Sequence, residues 1–153
     1  MSIHITTAQA TDPSVSAMLR EHAREMEAEF GGDTEHLPLQ TALASSGAQL
    51  WAAWSEGRVV GIVALLPVEE GHGELTSMRT VAAARRRGVA AALLARLLED
   101  AASAGFRRIS LQVGAEDFFE PARHLYERRG FQVTGPFGRY RKDPASVFMT
   151  MEL

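Results

Sequence analysis

The sequence predicts an α/β fold in which one mixed sheet carries helices packed on it. Three observations point there. Short runs rich in alternating or β-branched residues recur along the chain. Other segments place apolar residues at three- and four-residue steps. The two kinds interleave as β, α, α, a hairpin, then β, α, β, α, β, β. With 153 residues, 46% of them hydrophobic and 23% charged, the chain suits a single domain over residues 1–153. No apolar run is long enough to cross a bilayer and the N-terminus lacks a signal-peptide pattern, so a cytoplasmic location is expected, with no membrane partner. A formal charge of −3 argues against general nucleic-acid binding, and the absence of cysteine removes disulfides, thiolate metal sites and cysteine nucleophiles.

In order, Ser2–Thr7 reads as a strand with Ile3 and Ile5 on one face. Asp12-Pro13 then gives an N-cap and a first helical residue. Val15, Met18, Leu19, His22, Met26 and Phe30 form the stripe of that helix, and Gly31-Gly32 ends it. Its other face carries Glu21, Glu25, Glu27 and Glu29, read either as a solvated face or as acids lining a groove for a cationic substrate. Thr34–Ser46 suggests a short helix and loop, limited by Pro38. Gln49–Trp54 and Arg58–Leu66 form a hairpin around Glu56-Gly57, the second strand apolar enough to be buried on both faces. Pro67–Gly73 reads as a polar connector, on which His72, two residues from Glu74, is either an exposed loop histidine or one that assists the base or contacts substrate.

Glu74–Val81 is the next strand, and a helix follows to about Ala104, with Ala90, Leu93, Leu94, Leu97, Leu98 and Ala101 on one face and Gly105 as its cap. Arg107–Val113 is a strand, Pro121 opens a helix that ends at Gly130, and Phe131–Thr134 and Val147–Glu152 close the sheet across the loop Gly135–Ala145.

Between the fourth strand and its helix lies Arg85-Arg86-Arg87-Gly88-Val89-Ala90. A helix start offers unpaired amides and the positive end of the macrodipole, and Gly88 lets a ligand approach the backbone, so the turn reads as a phosphate site. Neither GxxxxGK[ST] nor GxGxxG is present. The spacing Arg85-x-x-Gly88-x-Ala90 resembles the acyl-CoA turn of the Gcn5-related N-acetyltransferases, the GNAT superfamily. The run from Ala122 through Leu125-Tyr126 to Gly130-Phe131 looks like that family's C-terminal signature. The likeness is strongest over residues 58–133. The tail Gly135-Pro136-Phe137-Gly138-x-Tyr140 looks like a subgroup of small bacterial acetyltransferases.

The resemblance implies an acyl-CoA N-acyltransferase fold: a mixed, mostly antiparallel sheet with about four flanking helices. It implies an N-acetyltransferase that moves acetyl from acetyl-CoA to a small-molecule primary amine in a ternary complex, without metal. Backbone groups of Met78, Thr80 and Val81 would pair with pantetheine. Amides of Arg86, Arg87, Gly88, Val89, Ala90 and Ala91 would hold the pyrophosphate, with side chains of Arg85, Arg86 or Arg87 added. Tyr126 would be the general acid and Glu74 the general base; read alone, they are equally a packed helix tyrosine and half of a cross-strand salt bridge. Many members carry Asn where this chain has Phe118-Phe119, which puts one cofactor contact in doubt and offers an apolar wall instead. Phe137, Tyr140 and Arg141 are candidate acceptor contacts. A non-catalytic acyl-CoA-binding regulatory module and a protein or peptide N-acetyltransferase are the competing readings, and a homodimer stays open.

Overall fold

The computed structural model describes residues 2–30 and 47–153, so the Gly31-Gly32 stop and the helix expected over Thr34–Ser46 lie outside them. The elements are β1 (His4–Ala8), α1 (Pro13–Phe30), β2 (Gln49–Ser55), β3 (Arg58–Glu69), β4 (His72–Thr80), α2 (Val89–Ser103), β5 (Arg108–Gly114), α3 (Glu120–Arg129), β6 (Gln132–Thr134) and β7 (Ser146–Glu152). Short 3-10 turns occupy Ala82–Ala84 and Asp117–Phe119. The strands form one sheet in the order β1-β2-β3-β4-β5-β7-β6, antiparallel throughout except for β4 beside β5. The mixed, mostly antiparallel sheet of the sequence reading is the one observed.

One segment differs from expectation. Pro67–Gly73 is not a connector: β3 runs on to Glu69, β4 starts at His72, and Pro67 pairs with Gly73. The ladder is irregular between Pro67 and Glu69, where proline has no N–H to give. His72 is consequently a buried strand residue rather than an exposed one.

Alternation along β2 and β3 sorts the core into two layers. Trp51, Ala53, Val63 and Leu65 pack with Leu93, Leu94 and Leu97 of α2, and Tyr126, Phe119 and Phe131 join the same layer. Leu50, Ala52, Ile62 and Ala64 face the other way and pack with Val15, Met18 and Leu19 of α1. Helix α1 starts as its sequence dictates, with Asp12 Oδ1 accepting from the amides of Ser14 at 2.9 Å and Val15 at 3.3 Å. Polar clamps fix α2 against the first strands. Trp51 Nε1 donates to Asp100 Oδ2 at 2.7 Å, and Arg96 bridges Asp100 and the Ile5 carbonyl.

Helix α2 approaches β3 closely at Gly61. A Cβ there would lie 2.7 Å from Val89 Cγ1, 3.0 Å from Leu93 Cδ1 and 3.2 Å from the Arg79 carbonyl oxygen. Both side chains are fully buried, so neither can swing aside. Gly61→Ala is expected to cost about 1–3 kcal/mol by overpacking, read as a lower urea midpoint at unchanged m-value. An unmoved midpoint would show that α2 can lift off the sheet freely.

Candidate functional site

The site begins with a parting of strands. β4 pairs with β5 over His72–Leu75 and Arg108–Leu111, and beyond that the two strands make no further pairs. The cause is visible on the other edge of β4. Ile62 pairs with Arg79 and Ala64 with Thr76, so Val63 alone opposes both Ser77 and Met78. Ser77 absorbs the extra residue at φ 56°, in the left-handed region, and such a bulge bends its strand. A cavity of about 600 Å³ occupies the parting. His22, Glu25 and Glu74 line it from the α1 side, and Tyr126, Ala122 and Phe119 from the α2–α3 side. The sheet is therefore open from one face toward the other.

The free edge of β4 supplies backbone groups. Val81 N–H donates to the Val60 carbonyl at 2.9 Å and the Val81 carbonyl accepts from Ala84 at 3.0 Å. Val81 thus uses both of its backbone groups within the fold. Backbone groups alternate in direction along a strand, so those of Thr80 and Met78 face the parting. The Thr80 carbonyl already accepts from Arg85 Nε at 3.4 Å. Two buried hydroxyls beside this edge, Ser77 Oγ and Thr80 Oγ1, have no partner among the described residues.

After the 3-10 turn the chain passes through Arg86 at φ 64° and Gly88 at φ 82°, and Gly88 is the N-cap of α2. The first amide to find an acceptor within the helix is that of Ala92, on the Gly88 carbonyl at 3.0 Å. The amides of Val89, Ala90 and Ala91 have none there, as at any helix start. A Cβ on Gly88 would meet nothing within 4 Å, so the space beside it is open. Unpaired amides, the positive helix end and open space together suit an anion. The Val89 side chain is fully buried, leaving only its amide for a ligand. Arg85, Arg86 and Arg87 are all exposed, and of the three only Arg85 lines the cavity.

Glu74 projects from β4 on the α1 side, since its neighbour Leu75 belongs to the α2 layer. It is buried and accepts a hydrogen bond from the Tyr140 hydroxyl. Burial pushes its carboxyl above the usual carboxylate range, while the Tyr140 bond and the nearby Arg139 guanidinium pull the other way. The bond goes to a tyrosine, not to the cation of a cross-strand salt bridge. His72, two residues earlier, lies within 2.7 Å of Ser110 Oγ, which is 2.9 Å from Thr150 Oγ1, and Arg108 Nε donates to Thr150 at 2.9 Å. Ser110 is the register partner of Glu74, so this chain stiffens the strands that carry the carboxylate.

Tyr126 stands on α3, whose end explains the Leu125-Tyr126…Gly130-Phe131 run. Gly130 takes φ 116°, its amide reaches the Glu127 carbonyl at 3.0 Å, and the Phe131 amide reaches that of Tyr126 at 3.0 Å. This Schellman closure lays the Phe131 ring 5.7 Å from the Tyr126 ring and fixes it in the cavity wall. Burial raises the phenol well above its ordinary pKa, so it is a protonated acid at neutral pH. Phe119 is buried and stacked edge-on against the exposed Phe118, and both line the cavity as an apolar wall.

Among the other expected contacts, Tyr140 lines the cavity, whereas Phe137 is buried against His72 and Phe148, and Arg141 is exposed away from the lining. The four acids of α1 separate. Glu21 pairs with exposed Arg24 and Glu27 is exposed, whereas Glu25 lines the cavity and accepts from Arg79 Nη1 at 2.6 Å; the Glu29 side chain lies outside the described residues. Three participants were missed. His22 carries only a stripe signal in the sequence; it is buried beside Arg79 with Nδ1 unpartnered among the described residues, and burial lowers its pKa to about 4. Arg79 and Arg139 carried no periodic signal at all. Among the described residues there is no metal-ligating cluster and no helix long and apolar enough to cross a membrane.

The sequence model of the acetyltransferase (GNAT) family matches residues 15–131. An uncharacterized N-acetyltransferase, YsnE of Bacillus subtilis strain 168, is 38% identical over 151 residues, covering 99% of this chain and 100% of the relative. Among solved structures, a protein of Klebsiella pneumoniae assigned as an acyl-CoA N-acyltransferase superposes with a TM-score of 0.80 at 29% identity, covering 99% of this chain and 97% of its own. A GNAT family acetyltransferase of Elizabethkingia anophelis, solved with acetyl-CoA bound, gives 0.74 at 18% identity over 99% and 98% of the chains. The last is a likeness of fold.

Proposed function

The chain belongs to the acetyltransferase (GNAT) family and is an N-acetyltransferase, and from that premise we propose that it transfers acetyl from acetyl-CoA directly to the primary amine of a small molecule. The observation that carries this reading is the parting of β4 from β5. It gathers Glu74, Tyr126 and the free edge of β4 into one cavity close to the unpaired amides at the start of α2.

Acetyl-CoA lies along that parting, its pantetheine amides against the backbone of Met78 and Thr80 and its pyrophosphate on the amides from Arg86 to Ala91, with Arg85 beside it. The Elizabethkingia neighbour supports acetyl-CoA as the donor. The amine enters from the α1 side, loses a proton to Glu74 and attacks the thioester carbonyl. The Met78 amide stabilises the oxyanion, and the C–S bond breaks as nitrogen keeps the acetyl group. The departing thiolate takes its proton from Tyr126, which recovers one from solvent. Glu74 releases the first proton to solvent, and the acetylated nitrogen sheds its second to water, leaving a neutral amide. No cysteine is present, so the acetyl group never rests on one.

Tyr126→Phe tests the step. Its kcat is expected to fall about 10²-fold, as removal of a general acid does, while acetyl-CoA affinity stays close to that of the unaltered protein. Release of free thiol should require both acetyl-CoA and an amine. Tight acetyl-CoA binding with no turnover across a wide amine panel would instead identify a non-catalytic acyl-CoA-binding module.

A further inference from the structure

We infer that the acceptor amine carries a carboxylate, held by Arg139 at the cavity mouth, so that the substrate is of amino-acid type rather than a simple or polycationic amine. The inference rests on the proposed reaction and names its substrate class.

It follows from the charges on the acceptor side of the cavity. Glu25 and Arg79 form an ion pair at 2.6 Å and cancel one another. His22 is neutral at pH 7, because burial and the neighbouring Arg79 both disfavour its cation. Glu74 faces the amine. What remains among the described residues is Arg139. It lines the cavity, and no carboxylate of the described residues lies within ion-pair distance of it.

Arg139 is exposed, and an exposed guanidinium left to itself is a weak anion site. Here its position is held. The guanidinium carbon stacks 5.3 Å from the Tyr140 ring centroid, and the Tyr140 hydroxyl is bonded to Glu74. The Tyr140 ring is edge-on to Phe137 at 5.1 Å and 5.7 Å from Phe148, both buried. A carboxyl at the hydroxyl tip and a guanidinium beside the ring thus share one anchored tyrosine. That pair is the complement of an amine and a carboxylate on one small molecule. Arginine's planar fork suits a carboxylate in two-point contact. A substrate bearing a second ammonium would bring it toward Arg139 and meet repulsion.

The experiment compares kcat/KM for amines matched except for the carboxylate: γ-aminobutyrate against butylamine, and phenylalanine against phenethylamine. The unaltered protein is expected to favour the carboxylate-bearing member of at least one pair tenfold or more. In Arg139→Gln that ratio should collapse toward one, chiefly through KM. Arg139→Lys should restore part of it and Arg139→Glu should reverse it. Preference for the amines without a carboxylate, or a ratio that Arg139→Gln leaves unmoved, would overturn the inference while the transferase reading stands. Acetyl-CoA binding with no amine of either class acetylated would remove the proposed reaction, and the inference with it.

Discussion

Gly88→Glu is expected to abolish acetyl-CoA binding, raising Kd by at least about 10²-fold at low salt. Gly88 is the N-cap of α2 at φ 82°, and the space beside it is open. A glutamate Cβ there would meet no neighbouring atom within 4 Å, and its charge would lie near the amides of Val89, Ala90 and Ala91. If phosphates bind those amides, like charges meet: two unit charges 4 Å apart at an effective dielectric of 20 differ by about 4 kcal/mol from none. Screening reduces that figure, so the loss should shrink as salt rises. The substitution also forces a side chain into the left-handed region, at about 1–2 kcal/mol. Gly88→Asn separates the two effects, because asparagine tolerates that conformation and adds no charge. Calorimetric titration with acetyl-CoA should show the Asn variant binding close to normally and the Glu variant not binding. Normal binding by Gly88→Glu would place the pyrophosphate elsewhere.

That turn was legible because everything it needs is local in sequence. A strand, an arginine, a left-handed glycine and an amphipathic helix follow one another within a few residues, and periodicity alone reports which face of α2 is buried. The closure around Gly130 is local in the same way, so Tyr126 could be named from its neighbours. The acceptor side was legible only in part, for two reasons. First, His72 is a polar residue buried at the start of β4 between two glycines, and Pro67 interrupts the strand before it; together they imitate a loop. Second, the contacts that define Glu74 are non-local. Tyr140 comes from the loop between β6 and β7, 66 residues away in the chain, and Arg79 meets Glu25 across 54. Nothing in the local sequence around Arg139 records that the loop folds back over β4.

Glu74→Gln is expected to lower kcat by about 10²–10³-fold, the usual range for loss of a general base, with acetyl-CoA affinity retained because Glu74 stands on the acceptor side. The pH profile carries the sharper test. A base acts only when deprotonated. Burial raises the Glu74 carboxyl, so its working form appears at higher pH than for an exposed carboxylate. kcat/KM for the unaltered protein should therefore rise with pH along an acidic limb displaced above the ordinary carboxylate range, and Glu74→Gln should lose that limb. Tyr140→Phe shifts it in a known direction. The Tyr140 hydroxyl donates to Glu74 and favours the charged form, so its removal raises the carboxyl further and moves the limb to still higher pH. At a fixed pH below the new limb the variant is slow; above it, much of the rate returns. A merely structural Tyr140 would give a rate loss of equal size at every pH, and an acidic limb that survives in Glu74→Gln would assign the base to another group.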